Sequence, residues 1–187
     1  MSARRLCSAD QSHLVIVDVQ IRLLAAMAEP ERAAMVKSAE ALLLATQALE
    51  VPLSYTEQYP KGLGPTVPAI LERLPAMSQR FEKTAFSCCD AEGFLRSLKA
   101  MGREQVVLIG QEAHVCVLQT ALGLLDEGFQ VFVVEDAVCS RAQGHKQNAL
   151  ARMREAGVVV TNLESVLFEW LRDAAHPEFK AVSDLIR

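Results

Sequence analysis

The chain has 187 residues, a length typical of one domain, and its 19 basic and 23 acidic residues give a net charge of −4. No segment concentrates Lys or Arg as a phosphate-binding surface would, so we do not expect nucleic acid as a partner. Hydrophobic residues make up 51% of the chain but aromatic residues only 5%. We therefore expect a single domain, residues 1–187, whose core consists mainly of Ala, Val, Leu and Ile.

The sequence contains no signal for a membrane span or for secretion. Its apolar runs fall short of the roughly 18 residues that a span requires, and the run before Asp18 is too short for a signal sequence. The cysteines are odd in number, and two are adjacent: Cys7, Cys88, Cys89, Cys116 and Cys139. We expect reduced thiols, a cytoplasmic location and no membrane partner; a short organelle presequence containing Arg4 and Arg5 is the alternative.

Apolar strand-length segments alternate with helical segments along the whole chain. The predicted strands are HLVIVDV (13–19), VPLSYTE (51–57), QRFEK (79–83), QVVLIG (105–110), QVFVVED (130–136) and VVVT (158–161). The predicted helices are 30–50 with Pro30 at the first position, 90–102 with Asp90 as N-cap, about 114–127, about 145–156, and 162–173. The segment 58–68, rich in Pro and Gly, is predicted as a loop. Continuously apolar strands are buried on both faces, which predicts an α/β fold with a mostly parallel six-stranded sheet between helices.

Ligands of such folds bind beyond the carboxyl ends of the strands. The polar groups at those ends are Asp18 with Gln20, Glu57 with Gln58, Lys83, the segment 111–116, and Asp136 with Ser140 and Arg141. A carboxylate, an amine and a thiol among them are the components of nucleophilic catalysis: Asp18, Lys83 and Cys116.

Each member of this set also has an ordinary interpretation. A free cysteine is usually a small core residue, a strand-end aspartate commonly caps a turn, and a lysine is usually solvated. Cys116, however, lies off the two apolar stripes of its predicted helix, on the face that carries Thr120 and Gly123. It also falls in the first turn, where the helix dipole favours a thiolate.

Three separated segments carry a resemblance to a known family: LVIVDVQ, EKTAFS and GQEAHVCVLQTALGLLDEGFQVFVVEDAVCSR. With them the chain resembles the isochorismatase-like cysteine hydrolases, and TEQYPKGLGPTVP and HPEFKAVSDLIR resemble the subgroup of isochorismatase domain-containing proteins. The resemblance covers nearly the whole chain. It implies a Rossmann-like three-layer α/β/α fold and hydrolysis of a small amide-like or acyl substrate.

The resemblance also implies roles for individual residues. Cys116 would be the nucleophile, Asp18 its general base and Lys83 the cation that stabilises the thiolate. A cis peptide bond between Gln111 and Glu112 would turn the backbone so that the N–H groups of Glu112 and Cys116 form an oxyanion hole. The expected pocket residues are Gln20, Leu23, Glu57, Phe86, Ala113 and Val115.

The chain departs from the family pattern in two places. Ala113 stands where Thr or Ser is common, and Thr56, Glu57 and Gln58 stand where metal-binding members carry Asp-x-His. The four histidines show no ligand spacing, so we expect neither a metal nor another cofactor. Cys116 argues against isochorismate itself, a vinyl ether whose hydrolysis needs no thiol there.

Self-association as a dimer or tetramer is expected from the resemblance and from three apolar residues beyond the last strand, Trp170, Phe179 and Leu185. Two other functions stay open. One is an oligomeric binding protein that keeps the fold without turnover, since fold alone does not decide function. The other is a thiol redox sensor that uses Cys88 and Cys89.

Overall fold

The computed structural model describes residues 6–187; Arg4 and Arg5, on which the presequence alternative rests, lie outside the described residues. The strands are β1 (Ser12–Val17), β2 (Leu53–Gln58), β3 (Gln79–Lys83), β4 (Gln105–Gln111), β5 (Gln130–Cys139) and β6 (Val159–Thr161). They form one sheet in the order β3-β2-β1-β4-β5-β6, in which all neighbouring strands are parallel. The predicted six-stranded α/β architecture is confirmed.

Helices cover both faces of the sheet. They are α1 (Ile21–Ala25), α2 (Glu31–Ala48), α3 (Pro60–Leu63), α4 (Pro68–Leu71), α5 (Phe94–Ala100), α6 (Leu118–Asp126), α7 (Gln143–Ala156), α8 (Leu163–Leu171) and α9 (Phe179–Ser183). One apolar core joins the sheet to α2, α8 and α9, and a second joins its other face to α5, α6 and α7. Side chains of the central strands alternate between these two cores, which is why the strands are apolar throughout.

The structure corrects several local predictions. Asp90 is not the N-cap of α5; it ends a 3₁₀ turn (Cys88–Asp90), and Gly93, in the left-handed region, precedes the helix. Pro30 is the N-cap of α2 rather than its first helical residue. The predicted loop 58–68 contains the short helix α3, and α4 begins at its last residue; each starts with Pro, where the missing N–H costs no helical hydrogen bond.

In the sheet order, β2 and β3 are added on one side of β1, and β4, β5 and β6 on the other, so that β1 lies beside β4 where the order of addition reverses. Gly110, near the end of β4, has φ +114, and a Cβ atom there would lie 2.1 Å from the carbonyl oxygen of Val17. Only glycine allows this close approach. The ends of β1 and β4, and the segments that follow them, are therefore held together at one edge of the sheet.

The C-terminal apolar residues are covered by their own chain. Trp170 is buried, and its indole N–H donates a hydrogen bond to Ser12 Oγ (2.9 Å). Phe179 and Leu185 pack against the core that contains α2. These residues therefore give no independent reason to expect self-association. Within residues 6–187, no helix has both the length and the apolar character needed to cross a bilayer.

Candidate active site

Asp18 directly follows β1, in the left-handed region at φ +49. Aspartate tolerates this conformation better than most residues, and two hydrogen bonds to its carbonyl oxygen hold it: from Gln20 N (2.8 Å) and Gln111 Nε2 (3.1 Å). The side chain is completely buried. A carboxylate is thereby fixed between the ends of β1, β2 and β4.

Lys83, the last residue of β3, brings its amine to this carboxylate. The distance from Nζ to Asp18 Oδ2 is 2.6 Å, and both side chains are 0% exposed. Nζ also donates to Gln58 Oε1 (2.8 Å) and to the carbonyl oxygens of Phe86 (3.0 Å) and Ala85 (3.3 Å). Burial alone would lower the pKa of Lys83, but attraction to Asp18 and to nearby thiols gives a net rise. Lys83 is therefore a buried, charged ammonium group.

Cys116 lies in a π-helical turn (Ala113–Val117) between β4 and α6. The backbone N–H of Val117 donates to the carbonyl oxygen of Glu112, five residues earlier, at 3.3 Å, which widens the turn relative to an α-helix. Such turns are frequent at functional sites. The thiol is 5% exposed, and the charges of Asp18 and Lys83 both act on it.

The electrostatics of Cys116 differ from the sequence-based prediction. Burial raises the pKa of the thiol, the negative charge of Asp18 raises it further, and the positive charge of Lys83 opposes both. The thiolate predicted at neutral pH from the helix start is therefore not the resting form, because burial and Asp18 together outweigh Lys83. The resting group is a thiol, and the nearby charges that act on it are those of the buried Asp18–Lys83 pair.

The structure adds three residues that were not predicted as members of the site. Thr56 Oγ1 donates to Asp18 Oδ1 (2.7 Å), and Gln58 binds Lys83. The Cys88 thiol lies 3.6 Å from Thr56 Oγ1, and burial raises its pKa to about 12. Strand order would have indicated Thr56 and Gln58. Because β2 lies between β1 and β3, alternate side chains of β2 must lie between Asp18 and Lys83.

Gln111 and Glu112 lie beside Asp18, and the peptide bond between them is cis. The buried Gln111 side chain donates to Asp18 O and accepts a hydrogen bond from Cys139 Sγ (3.3 Å). The Glu112 side chain is bound by Arg141 through its backbone N–H (2.9 Å) and its guanidinium group. Burial works against the charged form of Glu112, but the Arg141 hydrogen bonds and charge give a net lowering of its pKa.

Two predicted pocket residues make hydrogen bonds within the protein. Gln20 donates through Nε2 to the carbonyl oxygens of Gln58 and Gly64, and its Oε1 accepts from Gln58 N. The carboxylate of Glu57 accepts hydrogen bonds from Thr66 and Arg80. These bonds fix both side chains at the ends of β1 and β2, and their contact with a substrate stays a prediction.

The other four predicted pocket residues differ in exposure. Phe86 is 52% exposed, Leu23 and Val115 are partly buried, and Ala113 is completely buried. Phe86 and Val115 lie within three residues of Lys83 and Cys116 respectively. These two therefore remain the apolar side chains that flank the reactive groups.

A cavity of about 430 Å³ adjoins the segment 83–85. Its walls include Tyr59, Lys61, Glu82 and Glu92, whereas Asp18 and Cys116 do not line it. Within residues 6–187, no three His, Cys, Asp or Glu side chains are grouped so that they could hold a metal ion.

Comparison with known proteins identifies the family. A family model described as "Isochorismatase domain" matches residues 12–165. Isochorismatase domain-containing protein 2 of Danio rerio is 44% identical over 154 residues, which is 81% of this chain and 76% of the relative. The human protein of the same name is 43% identical over 155 residues, 82% of this chain and 73% of the relative.

Solved structures agree with this assignment. The MAR1 ribonuclease of Caenorhabditis elegans superposes with a TM-score of 0.91 at 36% identity, over 97% of this chain and 92% of that one. YcaC of Escherichia coli, described as an octameric hydrolase of unknown specificity, has a TM-score of 0.91 at 26% identity, over 100% and 91%. YcaC of Pseudomonas aeruginosa, described with covalent acrylamide, has a TM-score of 0.87 at 27% identity, over 100% and 98%. The chain therefore belongs to the isochorismatase-domain family.

Proposed function

We propose that the protein is a metal-independent cysteine hydrolase that cleaves a small amide-like or acyl substrate through a thioester on Cys116. The observation that carries the proposal is the completely buried Asp18–Lys83 ion pair, whose two charges act in opposite directions on the pKa of the buried Cys116 thiol. Taking two charges out of water costs several kcal/mol for each ion, and a well-packed apolar pair would often be as stable. Catalysis gives a reason to retain the charges beside a thiol.

In the proposed reaction, the Cys116 sulfur attacks the substrate carbonyl while its proton moves to the Asp18 carboxylate. The new C–S bond converts the carbonyl oxygen to an oxyanion, which backbone N–H groups of Glu112 and Cys116 would bind. The C–N bond then breaks, and Asp18 returns the proton to the leaving amine. Lys83 keeps its charge throughout and limits the rise in energy as negative charge moves onto sulfur.

Water completes the cycle by attacking the thioester. Asp18 removes a proton from this water, the C–S bond breaks, and the proton returns to the Cys116 sulfur, leaving a carboxylic acid product. Because Asp18 alternates between base and acid, one buried carboxylate serves both half-reactions. The raised pKa of the Cys116 thiol fits this scheme, since its proton leaves only as the sulfur reacts.

A relative supports the reactivity of this site. The P. aeruginosa YcaC structure is described with covalent acrylamide, and acrylamide is both a small amide and an electrophile that modifies thiols. In this chain we propose Cys116 as the residue that would react in the same way.

A panel of small amides and esters, screened for turnover with Cys116→Ala as the matched control, tests the proposal. We expect turnover of at least one compound by the wild-type protein and none above background by the variant. Equal rates for the two proteins would contradict a nucleophilic role of Cys116. If every compound is inert, and Cys116 also fails to react with acrylamide, the catalytically silent binding protein becomes the better account.

RNA cleavage is a second candidate, favoured by the name of the C. elegans relative. The groups here that could serve it are His114 and His145, whose ring centroids are 4.5 Å apart, with Arg141 nearby in sequence. A net charge of −4 opposes it. Incubation of labelled single-stranded RNA with wild-type, Cys116→Ala and His145→Ala proteins distinguishes the two. Cleavage that survives the loss of Cys116 but not of His145 would favour the ribonuclease.

We also propose that the protein self-associates, because E. coli YcaC is described as octameric. Sedimentation at micromolar concentration tests this. We expect a mass at least twice that of the chain, and a mass of 20.5 kDa would contradict it.

A further inference from the structure

The Thr56 hydroxyl lies at the centre of a buried polar cluster. Its Oγ1 is 2.7 Å from Asp18 Oδ1, 3.3 Å from Asp18 N and 3.6 Å from Cys88 Sγ. Thr56 is 1% exposed, and Cys88 is 0% exposed. A hydroxyl has one hydrogen to donate and two lone pairs that accept.

These contacts fix the direction of the hydroxyl. The Asp18 backbone N–H can only donate, so it occupies one lone pair of Thr56 Oγ1. The single hydroxyl hydrogen then points to Asp18 Oδ1, and the Cys88 thiol is left to donate to the second lone pair. In this arrangement Oδ1 of Asp18 is an acceptor, because the Thr56 hydroxyl has no other hydrogen to offer and a hydrogen on Oδ1 would clash with it.

The two oxygens of Asp18 are therefore held by different groups. Lys83 Nζ binds Oδ2 at 2.6 Å, and Thr56 binds Oδ1. Thr56 lies on β2 and Lys83 on β3, and both strands are on the same side of β1. Rotation of the carboxylate, or exchange of its two oxygens, would therefore break a buried hydrogen bond. The charge of the carboxylate held in this way also acts on Cys116, because it adds to the effect of burial in raising the pKa of the thiol.

We propose that Thr56 is the positioning residue of the general base: its hydroxyl holds Asp18 Oδ1 so that the ionised carboxylate faces the Cys116 thiol. This inference rests on the proposed cysteine-hydrolase function. Thr56 itself does not touch the substrate or the sulfur of Cys116. It acts through Asp18, both on the orientation of the carboxylate and on how strongly that carboxylate binds a proton.

A positioning role predicts a specific effect on pH dependence. The titratable groups that face this site are Lys83 from β3, Cys88 from its 3₁₀ turn and Cys116 from the π-helical turn. Loss of one hydrogen bond leaves more negative charge on the Asp18 carboxylate, which disfavours the Cys116 thiolate further, so the pH profile of Cys116 alkylation should move to higher pH by about one unit.

The experiment measures the rate of Cys116 alkylation by iodoacetamide against pH, with mass spectrometry to identify the peptide. The variants are Thr56→Val, which removes the hydroxyl at equal volume, and Thr56→Ser, which retains it. Thr46→Val is the matched control, because Thr46 is also 1% exposed and its hydroxyl also donates at 2.7 Å, but to Leu43 O within helix α2 rather than to Asp18. Thr56→Ala replaces Thr56→Val should the latter not fold.

We expect the profile to move upward in Thr56→Val and to remain unchanged in Thr56→Ser and Thr46→Val. In an Asp18→Asn background, loss of the Thr56 hydroxyl should have no further effect, because the group on which it acts is absent. A shift that persists in this background would show that Thr56 acts through packing and would overturn the inference.

The test separates this inference from the function on which it rests. Asp18→Asn alone should change the pH profile of Cys116 alkylation, because it removes both the base that accepts the thiol proton and the charge that disfavours the thiolate, while Lys83 remains. If Asp18→Asn has no effect, the proposed function fails. If Asp18→Asn acts as expected but Thr56→Val leaves the profile unchanged, the function stands and the role of Thr56 is refuted.

Discussion

Replacement of Lys83 by Met should destabilise the fold as well as abolish turnover. The ammonium group has no contact with solvent and donates to four acceptors, two on side chains and two on backbone carbonyls. Met has nearly the same length but donates no hydrogen bond. The substitution therefore leaves the Asp18 carboxylate charged, buried and without its closest partner.

The magnitude follows from what is left behind. Removal of one member of a buried ion pair costs about 3–5 kcal/mol, because the other charge is uncompensated. For a chain of this length, each kcal/mol lowers the melting temperature by about 2–4 °C, so Lys83→Met should melt roughly 6–20 °C below the wild type. Lowering the pH should reduce the deficit, since the unpaired carboxylate can then take up a proton.

Urea unfolding at pH 7.5, followed by circular dichroism, measures this difference. Lys99→Met is the matched control: Lys99 also pairs with a carboxylate at 2.6 Å, that of Glu127, but its side chain is 55% exposed. An exposed pair contributes about 0–1 kcal/mol. If Lys83→Met loses no more stability than Lys99→Met, the Asp18–Lys83 pair is not buried as the structure has it, and the argument from its cost fails.

Other expectations follow from the same structure. His13 is buried with a pKa lowered to about 4 by burial and by Arg103, so the unfolded chain binds its proton first. The free energy of unfolding should therefore be highest above about pH 6.5, and protonation of His13 in the unfolded chain should lower it by about 3 kcal/mol in total as the pH falls to about 4. Urea unfolding at pH 7 and at pH 4.5 gives the free energy of unfolding that is lost between the two pH values. This loss should be smaller for His13→Gln than for the wild type, and equal losses would refute the assignment. Chelator treatment should leave both activity and melting temperature unchanged; activity that is lost and then restored by zinc or iron would contradict the metal-independent mechanism. Gln58→Leu removes an acceptor of Lys83 and should lower turnover at least tenfold, whereas Gln47→Leu, whose amide binds a surface carbonyl, should not.

The centre of the sheet could be predicted from sequence because β1, β4 and β5 each contain a continuous apolar run. Burial on both faces demands that pattern, so the segments around Val15, Val107 and Val133 were recognisable without tertiary information. Local caps were less predictable. Asp90 has the chemistry of an N-cap, but Gly93 supplies the left-handed turn from which α5 begins, and the sequence does not show which of two plausible signals prevails.

The reactive residues could be located because parallel strands direct their carboxyl ends to one edge. Asp18 and Cys116 follow such ends, and Lys83 is the last residue of β3. Thr56 and Gln58 were not assigned to the site because their orientation depends on strand order, with β2 between β1 and β3. The ionisation of Cys116 was misjudged for a similar reason: the sequence shows a helix start and a lysine, but the extent of burial is a tertiary property.

The most direct test of the cysteine-hydrolase account is the rate at which acrylamide modifies each cysteine of the native protein at neutral pH, relative to the same cysteine in urea. Exposure alone ranks Cys89 first, because it is only partly buried while Cys7, Cys88 and Cys139 are completely buried and Cys116 nearly so. The account predicts that Cys116 reacts fastest, because Asp18 accepts its proton as the sulfur attacks, and that Lys83→Met slows this reaction. Preferential modification of Cys89, with Cys116 as slow as the three completely buried cysteines, would show that Cys116 is a core residue and would contradict the account.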